Sequence, residues 1–435
     1  SDGMWDTCAD FKCKLPTRGG GRMCCFGRPI FCRKYPRWDE ALGRRLCAAK
    51  RVVSEGVETG RTIHLESHGR DHFKGVPGTD DRKIVMRKIR VLQVNKLYAP
   101  VTGGIERVVQ QLAEGLKDKT DTKVLVCQKK GRGKIEQYHG VEVHRASSVG
   151  IFFSMPVSFS FFRQFRRLSK DRDIIQLHMP FPLGDLACLL SGYNGKVILW
   201  WHSDIVRQKK LMLIYKPILN RILKRADLII VATQGHIDCS EYLKPYHNKC
   251  VVIPYGVSRL EEKQNFHDGK PVRFLFIGRL VSYKGCDILL KAFQKVDQAE
   301  LVIVGDGILR EELEKLANEL GVSGRVRFRH HLTDRQVEDE LQRCDVLVLP
   351  SVTQAEAFGI VQIEAMAWGK PVINTMLPSG VPYVSLDKVT GITVEPGDIM
   401  ALTQAMNRMV QEPELRKQWG EAARQRVEEH FLEDT

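Results

Sequence analysis

The stretch that decides the fold runs from residue 350 to residue 367 and reads PSVTQAEAFGIVQIEAMA. Two glutamates, Glu356 and Glu364, stand eight positions apart in it. A helix that starts near Gly359 leaves Glu356 in the preceding loop and places Glu364 inside the helix. The first free N–H groups of that helix are predicted to face a cleft. A carboxylate before them can hold sugar hydroxyls, and one inside the helix can accept both hydroxyls of a ribose.

A glycine turn lies upstream, where residues 276–285 read FIGRLVSYKG. Arg279 and Lys284 flank this predicted strand-to-helix turn. Both side chains can converge on one diphosphate at the carboxyl end of a parallel sheet, where open α/β sheets bind ligands. The alternative is a pair of solvated loop cations.

A second turn of this kind lies at residues 100–107, which read PVTGGIER. Gly103 and Gly104 follow a predicted strand and open a helix. Because glycine has no Cβ, the backbone there can approach a ligand closely and point helix amides at an anion. A tight turn would need glycine in any case, so a purely structural role stays open.

Short apolar runs alternate with helical patterns along most of the chain, which predicts parallel sheets covered on both faces. In the first half we predict a helix over Ile105–Leu116 and strands over Ile89–Val94, Lys123–Cys127, Ile174–Leu177, Val197–Trp200, Leu228–Ala232 and Val251–Ile253. The pattern restarts after Pro254. There we predict helices over Cys286–Val296, Leu309–Leu320, Asp334–Arg343 and Ile360–Trp368, and strands over Arg273–Ile277, Glu300–Val304, Val326–Phe328, Val346–Leu349 and Pro371–Asn374. The sequence therefore predicts an α/β protein with two doubly wound domains, residues 86–254 and 255–435.

Residues 1–85 differ from the rest of the chain, because they are rich in Gly, Arg, Cys and Trp and lack sustained periodicity. We interpret them as a disordered or non-native extension ahead of Met86, with a small extra domain as the alternative. Six of the twelve cysteines lie in the first 47 residues, but their spacing does not form a pair of zinc knuckles. No metal site is predicted.

Two histidines stand at predicted strand ends. His202 lies in LWWHSDIVRQK, residues 199–209, and His178 follows another predicted strand. Both are candidates to face a cleft at the carboxyl edge of the first sheet, and His202 is the stronger one. The alternative for each is a hydrogen-bonded structural residue.

Taken together, these motifs resemble the retaining glycosyltransferases of family 4, which have the GT-B fold. The family's E-x7-E motif corresponds here to Glu356 and Glu364, with Phe358 and Gly359 between them. The resemblance runs from about residue 89 to about residue 430. Its supporting pieces are Gly103-Gly104, Ile253-Pro254-Tyr255-Gly256-Val257, Gly278-Arg279 with Lys284-Gly285, Val304-Gly305-Asp306-Gly307 and Thr390-Gly391.

The resemblance implies a donor cleft between the domains. Arg279 and Lys284 would neutralise the donor diphosphate, Glu364 would hold the ribose, and Glu356 the donor sugar. His202 would lie near the sugar and the acceptor. The remaining donor-binding positions are implied to be Gly103, Gly104, Gly305, Phe358, Gly359, Ile360 and Val361.

The resemblance also implies a reaction. The enzyme would move a hexose from a nucleotide sugar to a glycan or lipid-linked acceptor with retention of configuration and without a metal cofactor. The string at His202 favours mannose from GDP-mannose, and the pathway would be bacterial surface polysaccharide synthesis. A UDP-sugar donor is the alternative within this class. A sugar-nucleotide epimerase and a basic nucleic-acid-binding protein are alternatives of other classes, but we find no nucleic-acid-binding motif and predict no nucleic-acid partner.

The net charge of +15 is uneven, because residues 86–254 carry +15, residues 1–85 carry +6 and residues 255–435 carry −6. Two basic amphipathic stretches, residues 161–168 and 209–225, lie in that middle part. They predict contact with an anionic membrane, with ordinary solvated helices as the alternative. With no apolar run of spanning length, we expect a cytoplasmic protein, either free or peripheral on the inner face of the plasma membrane. Relatives in the family continue past Phe431, so we also expect that the last helix is truncated.

Overall fold

The computed structural model describes residues 87–101, 103–152, 155–205, 209–260 and 271–432. The predicted extension, residues 1–85, and its six cysteines lie outside the described residues. So do residues 433–435.

The first sheet has eight strands in the order β10-β9-β8-β7-β1-β2-β4-β3. All neighbours pair parallel except β3 and β4. These strands are β1 (Ile89–Val94), β2 (Thr120–Cys127), β3 (Lys134–Tyr138), β4 (Val141–Ala146), β7 (Ile174–Met179), β8 (Lys196–Trp201), β9 (Leu228–Val231) and β10 (Cys250–Val252). A separate antiparallel hairpin consists of β5 (Gly150–Phe152) and β6 (Met155–Val157).

Five helices accompany this sheet: α1 (Gly104–Leu116), α2 (Ser160–Ser169), α3 (Pro182–Leu190), α4 (Lys209–Arg225) and α5 (Gln234–Cys239). The connections through α2, α3 and α4 all progress along the sheet in one direction, whereas the connection through α1 runs in the other. Because parallel crossovers are right-handed, α2, α3 and α4 share one face of the sheet and α1 lies on the opposite face. Helix α3 packs against both α2 and α4.

The second sheet has six parallel strands in the order β13-β12-β11-β14-β15-β16. They are β11 (Val272–Ile277), β12 (Ala299–Val304), β13 (Val326–Arg329), β14 (Val346–Val348), β15 (Val372–Thr375) and β16 (Gly391–Val394). The helices are α6 (Cys286–Phe293), α7 (Arg310–Glu319), α8 (Asp334–Arg343), α9 (Ile360–Ala367), α10 (Val381–Val384), α11 (Ile399–Gln411) and α12 (Pro413–His430). Short 3-10 segments cover Lys244–Lys249, Ser282–Lys284 and Ser323–Arg325.

The predicted fold class is confirmed, since both sheets are doubly wound, covered by helices on both faces and parallel apart from the β3–β4 edge pair. The first sheet ends at Val252 and the second begins at Val272, so the connecting segment contains residue 254. Each sheet changes direction at a switch point, between β1 and β7 in the first and between β11 and β14 in the second. Ligands of such sheets bind outside the strand ends at these points.

One apolar cluster belongs to both halves. It joins Trp200 and Ile230 of the first sheet to Phe358, Val427 and Phe431 of the second half. The backbone N–H of Val257 donates to the carbonyl of Phe431 at 2.8 Å, and Val257 forms a parallel bridge with Leu432. The segment after α12 therefore returns to the junction at which the second half begins.

Candidate active site

The start of helix α9 meets the glycine turn of the first half. Gly359 has φ +70°, and a Cβ there would lie 2.6 Å from the Leu349 side chain, so the helix start requires glycine. A Cβ built on Gly104 would lie 3.7 Å from the side chain of Ile360. Two segments that the sequence predicts to bind the donor therefore lie side by side, with Phe358 buried beneath them.

The loop carboxylate Glu356 is buried and paired with Lys284. Its Oε2 lies 2.5 Å from Lys284 Nζ and accepts a hydrogen bond from the Ser351 hydroxyl at 2.9 Å. The structure thus joins two of the predicted catalytic residues. The contribution of Ser351, which directly follows Pro350, was missed because serine in a loop carries no distinctive signal.

The helix carboxylate Glu364 is reached from the other half of the protein. Its Oε1 lies 2.7 Å from Nη1 of Arg107, the fourth residue of helix α1. Burial raises the pKa of Glu364, the Arg107 charge opposes that shift, and Asp334 adds to it. Sequence analysis gave Arg107 no role, although its place three residues after Gly104 puts it on the first turn facing the cleft.

The two predicted phosphate cations lie together. Arg279 is exposed and donates to the hydroxyl of Tyr283 at 3.0 Å. The Lys284 side chain lies within 3.4 Å of where a Cβ on Gly278 would stand. Gly305 supports the same turn, since it has φ +149° and a Cβ there would lie 1.9 Å from the Gly278 carbonyl oxygen. Gly305 therefore shapes the loop around Arg279.

His202 and His178 are buried and hydrogen-bonded to each other, so neither ring is exposed in a cleft. His202 Nε2 is 2.9 Å from His178 Nδ1, and His202 Nδ1 is 2.6 Å from the Tyr255 hydroxyl. The rings stack nearly parallel with that of Trp200. Burial lowers the pKa of His178 to about 3 and holds the pKa of His202 well below its usual value. Both imidazoles are thus neutral at physiological pH, and both ring nitrogens of His202 already have protein partners.

A further contact between the halves was not predicted. A Cβ on Gly380 would lie 2.7 Å from both the Ala357 carbonyl oxygen and the Thr233 hydroxyl, and the Gly380 N–H donates to that carbonyl at 2.7 Å. The hydroxyl of Tyr383 also donates to Asp238 at 3.3 Å. These contacts hold the Glu356 loop against the first half.

The site therefore offers a helix N-terminus, two cations and two carboxylates at the switch points of two sheets. Such a set can bind a diphosphate at one end and hydroxyl groups at the other. Among the described residues, no group of three or more His, Cys, Asp or Glu side chains is arranged to hold a metal ion.

None of the helices described here combines the length and the apolar character that crossing a membrane requires.

Comparison with known proteins identifies the protein family to which this site belongs. Residues 257–426 match the model of glycosyl transferases group 1, and residues 102–259 match that of glycosyltransferase family 4. The chain is 34% identical to an Escherichia coli O-antigen chain mannosyltransferase over 80% of its own length and 95% of the relative's. It is also 34% identical to a Pseudomonas aeruginosa D-rhamnosyltransferase, over 79% and 92% of the two chains.

A solved structure has the same fold. The Anabaena protein HepE, crystallised with UDP and glucose, superposes with a TM-score of 0.63 at 18% identity, over 79% of this chain and 96% of that one. At this identity the similarity concerns the fold, which is that of the GT-B glycosyltransferases. The chain described here belongs to the group 1 glycosyltransferases, with a family 4 amino-terminal half, and is an enzyme that transfers sugar from a nucleotide sugar.

Proposed function

We propose that this glycosyltransferase moves a mannosyl residue from GDP-mannose to a glycan or lipid-linked acceptor during the assembly of bacterial surface polysaccharide. The observation that carries the proposal is the 34% identity to an O-antigen chain mannosyltransferase along nearly the whole of that relative. The second relative, a D-rhamnosyltransferase, also transfers a hexose-derived sugar.

In the proposed complex, Arg279 and Lys284 hold the diphosphate, and the N–H groups of residues 359–361 face its oxygens. Glu364 accepts the ribose hydroxyls and Glu356 the hydroxyls of the sugar. Because Lys284 Nζ lies 2.5 Å from Glu356 Oε2, the donor meets a cation and a carboxylate side by side. The pair thereby places the diphosphate next to the transferred sugar, at the loops that follow β11 and β14.

We further propose that the transfer retains the anomeric configuration. The bond between the anomeric carbon and the donor phosphate breaks, and the acceptor oxygen bonds to that carbon on the same face. The acceptor proton passes to the leaving phosphate oxygen. Arg279 and Lys284 stabilise the negative charge on the leaving diphosphate, a part that a divalent cation plays in other transferases, so the reaction needs no added metal.

His202 contributes differently from the sequence prediction in this proposal. Since both of its ring nitrogens are engaged, it positions the carboxyl end of β8 and the Tyr255 junction instead of exchanging a proton with the substrate. We place the reaction in the cytoplasm, at the inner face of the plasma membrane, because nucleotide sugars are made there and the first half of the chain is strongly basic.

The test measures thermal stability with GDP-mannose, UDP-glucose and ADP-glucose, in the presence of EDTA. A donor at about 100 times its Kd adds ~2.7 kcal/mol to the free energy of unfolding. We expect a shift with GDP-mannose that is lost in Glu356→Gln, and transfer to a lipid-linked glycan that yields an α-linked mannose by NMR.

The outcomes separate the parts of the proposal. A shift with UDP-glucose alone would keep the enzyme class and overturn the donor. A rate abolished by EDTA would overturn the metal-free mechanism, and a β-linked product would overturn retention.

A further inference from the structure

We propose that the first half of the protein docks on an anionic lipid bilayer through one surface, called here the basic rim. It consists of the β5–β6 hairpin, helix α2 and the first half of helix α4. The inference rests on the proposed function only for its purpose, which is to bring a lipid-linked acceptor to the site. Lipid binding itself is independent of the donor and can be measured without it.

The three parts of the basic rim lie along one edge of the sheet. Helices α2 and α4 share a face of the sheet, with α3 packed between them. Each helix begins after the carboxyl end of its preceding strand, and the hairpin sits between the end of β4 and the start of α2. With helices spaced at 8–10 Å, the hairpin and the start of α4 lie about 20 Å apart along the edge that also carries the active site.

The apolar faces of α2 and α4 are not available to lipid. Phe161, Phe165 and Leu168 of α2 are buried in the domain core, as are Leu219 and Ile222 of α4. Both helices therefore have a buried apolar face and a solvated basic face. Other side chains must supply any apolar contact.

Such side chains are exposed at the edge itself. Phe159, which precedes α2, is 83% exposed, and Phe152 on the hairpin is 56% exposed. On the second turn of α4, Leu213 and Ile214 are 79% and 75% exposed. Val149 and Ile151, beside and on the hairpin, are exposed as well, so the large apolar groups cluster at two separated points, and such groups can insert into a lipid interface.

The charges around these groups have a single sign. Residues 155–170 and 209–226 contain no Asp or Glu. The exposed cations on α2, at its end and on the first half of α4 are Arg163, Arg166, Arg167, Lys170 and Lys216. Anionic headgroups complement such a surface, and the exposed aliphatic side chains beside the cations favour a bilayer over a nucleic acid.

The experiment measures cosedimentation of the full chain with phosphatidylcholine vesicles that contain or lack phosphatidylglycerol. We expect binding to the anionic vesicles that weakens as salt is raised, because salt screens the charges. Absence of binding to anionic vesicles at low salt would overturn the proposal. Salt-steep binding to RNA without vesicle binding would assign the surface to nucleic acid instead.

Two double variants test the surface itself. Phe152→Ser with Phe159→Ser, and Arg166→Glu with Arg167→Glu, are each expected to lower vesicle partitioning by about tenfold or more. Matched controls lie elsewhere: Met400→Ser removes an exposed apolar group from the second half, and Lys117→Glu with Lys119→Glu reverses two exposed charges at the end of α1. Equal losses in variants and controls would overturn the basic rim.

The shift in thermal stability that the donor induces distinguishes the proposed donor from the proposed lipid-binding surface. The rim variants are expected to retain the wild-type shift with GDP-mannose, since none of the substituted residues contacts the donor site. Loss of vesicle binding with a normal shift supports the rim. A protein that binds vesicles and shows no shift with any nucleotide sugar refutes the proposed donor while leaving the rim intact.

Discussion

Glu364 holds Arg107 across the cleft, and the proposed donor ribose needs the same carboxylate. We expect Glu364→Gln to raise the donor KM about tenfold, the effect of losing one charge-assisted hydrogen bond of ~1.5 kcal/mol. Steady-state kinetics with varied donor measures it. Glu312→Gln, on the exposed side of α7, is the matched control. A KM equal to wild type would remove Glu364 from the donor site.

Arg107→Ala tests which of the two residues in that ion pair binds the donor. Without Arg107, the donor no longer has to break an existing contact to reach Glu364. We therefore expect the donor KM to stay unchanged or fall, while the Glu364→Gln variant moves in the opposite direction. A KM that rises equally in both variants would mean that Arg107 itself binds the donor.

Tyr255 is the end of the buried chain that passes through His202 and His178. Tyr255→Phe leaves His202 Nδ1 without its partner at 2.6 Å, and we expect a loss of about 1–2 kcal/mol in the free energy of unfolding. Urea unfolding provides the measurement. The control is Tyr246→Phe, whose hydroxyl makes only a long 3.5 Å contact with the Asn220 carbonyl. Equal losses of unfolding free energy in the two variants would mean that the hydrogen bond between Tyr255 and His202 does not stabilise the protein.

The sequence identifies candidate site residues by their chemistry, but it does not identify the residues that they contact. The spacing of Glu356, Glu364 and Lys284 beside glycine turns marks these three as candidates. The partners Arg107 and Ser351 lie far from them in sequence, and no local pattern specifies a contact made across a cleft. His202 was located at its strand end, but whether its ring faces solvent or the core depends on Tyr255, more than fifty residues away.

At the level of elements, the loop after β12 depends on one glycine. We expect Gly305→Ala to destabilise the protein by about 3 kcal/mol, because φ is +149° and the added Cβ meets the Gly278 carbonyl at 1.9 Å. Gly324→Ala serves as control, since nothing lies within 4 Å of its Cβ position. Thermal unfolding compares them, and matching midpoints would contradict the strained-turn interpretation.

Buried strands could be placed from the sequence because short continuous apolar runs between glycine turns are typical of buried parallel strands, and the turns mark where each strand ends. Strand β1 was predicted with its observed bounds, and helix α8 likewise. Strand β3 was missed because it is an exposed edge strand, KIEQY, without apolar alternation. Helix α6 ends at Phe293, three residues before its predicted end, because Lys295 and Val296 continue in a turn.

For the whole molecule, buried ionisable groups predict a stability maximum near pH 6. Burial lowers the pKa of His178 to about 3 and of His236 to about 4, so the unfolded chain binds more protons below pH 6.5 and stability falls with acid. Burial also raises the pKa of Asp185 to about 8. The folded chain then holds a proton that the unfolded chain releases, so stability falls as pH rises from about 4 to 8.

Urea unfolding across that range tests the prediction. Asp185→Asn keeps a neutral side chain beside the Tyr215 hydroxyl, and we expect it to flatten the decline above about pH 6.5 and to steepen the rise between about pH 4 and 6. Asp238→Asn, which is not buried, provides the control. A wild-type decline that persists unaltered in Asp185→Asn would assign the proton to another group.

The backbone contact between Val257 and the Phe431–Leu432 segment has a mechanical consequence. The segment by which the polypeptide enters the second half is thereby paired with the segment that follows α12. Phe431 and Leu432 also belong to the apolar cluster that contains Trp200 and Ile230 of the first half. Any displacement of the second half at this junction would therefore have to carry both segments together, which makes the connection stiffer than a single extended chain would be.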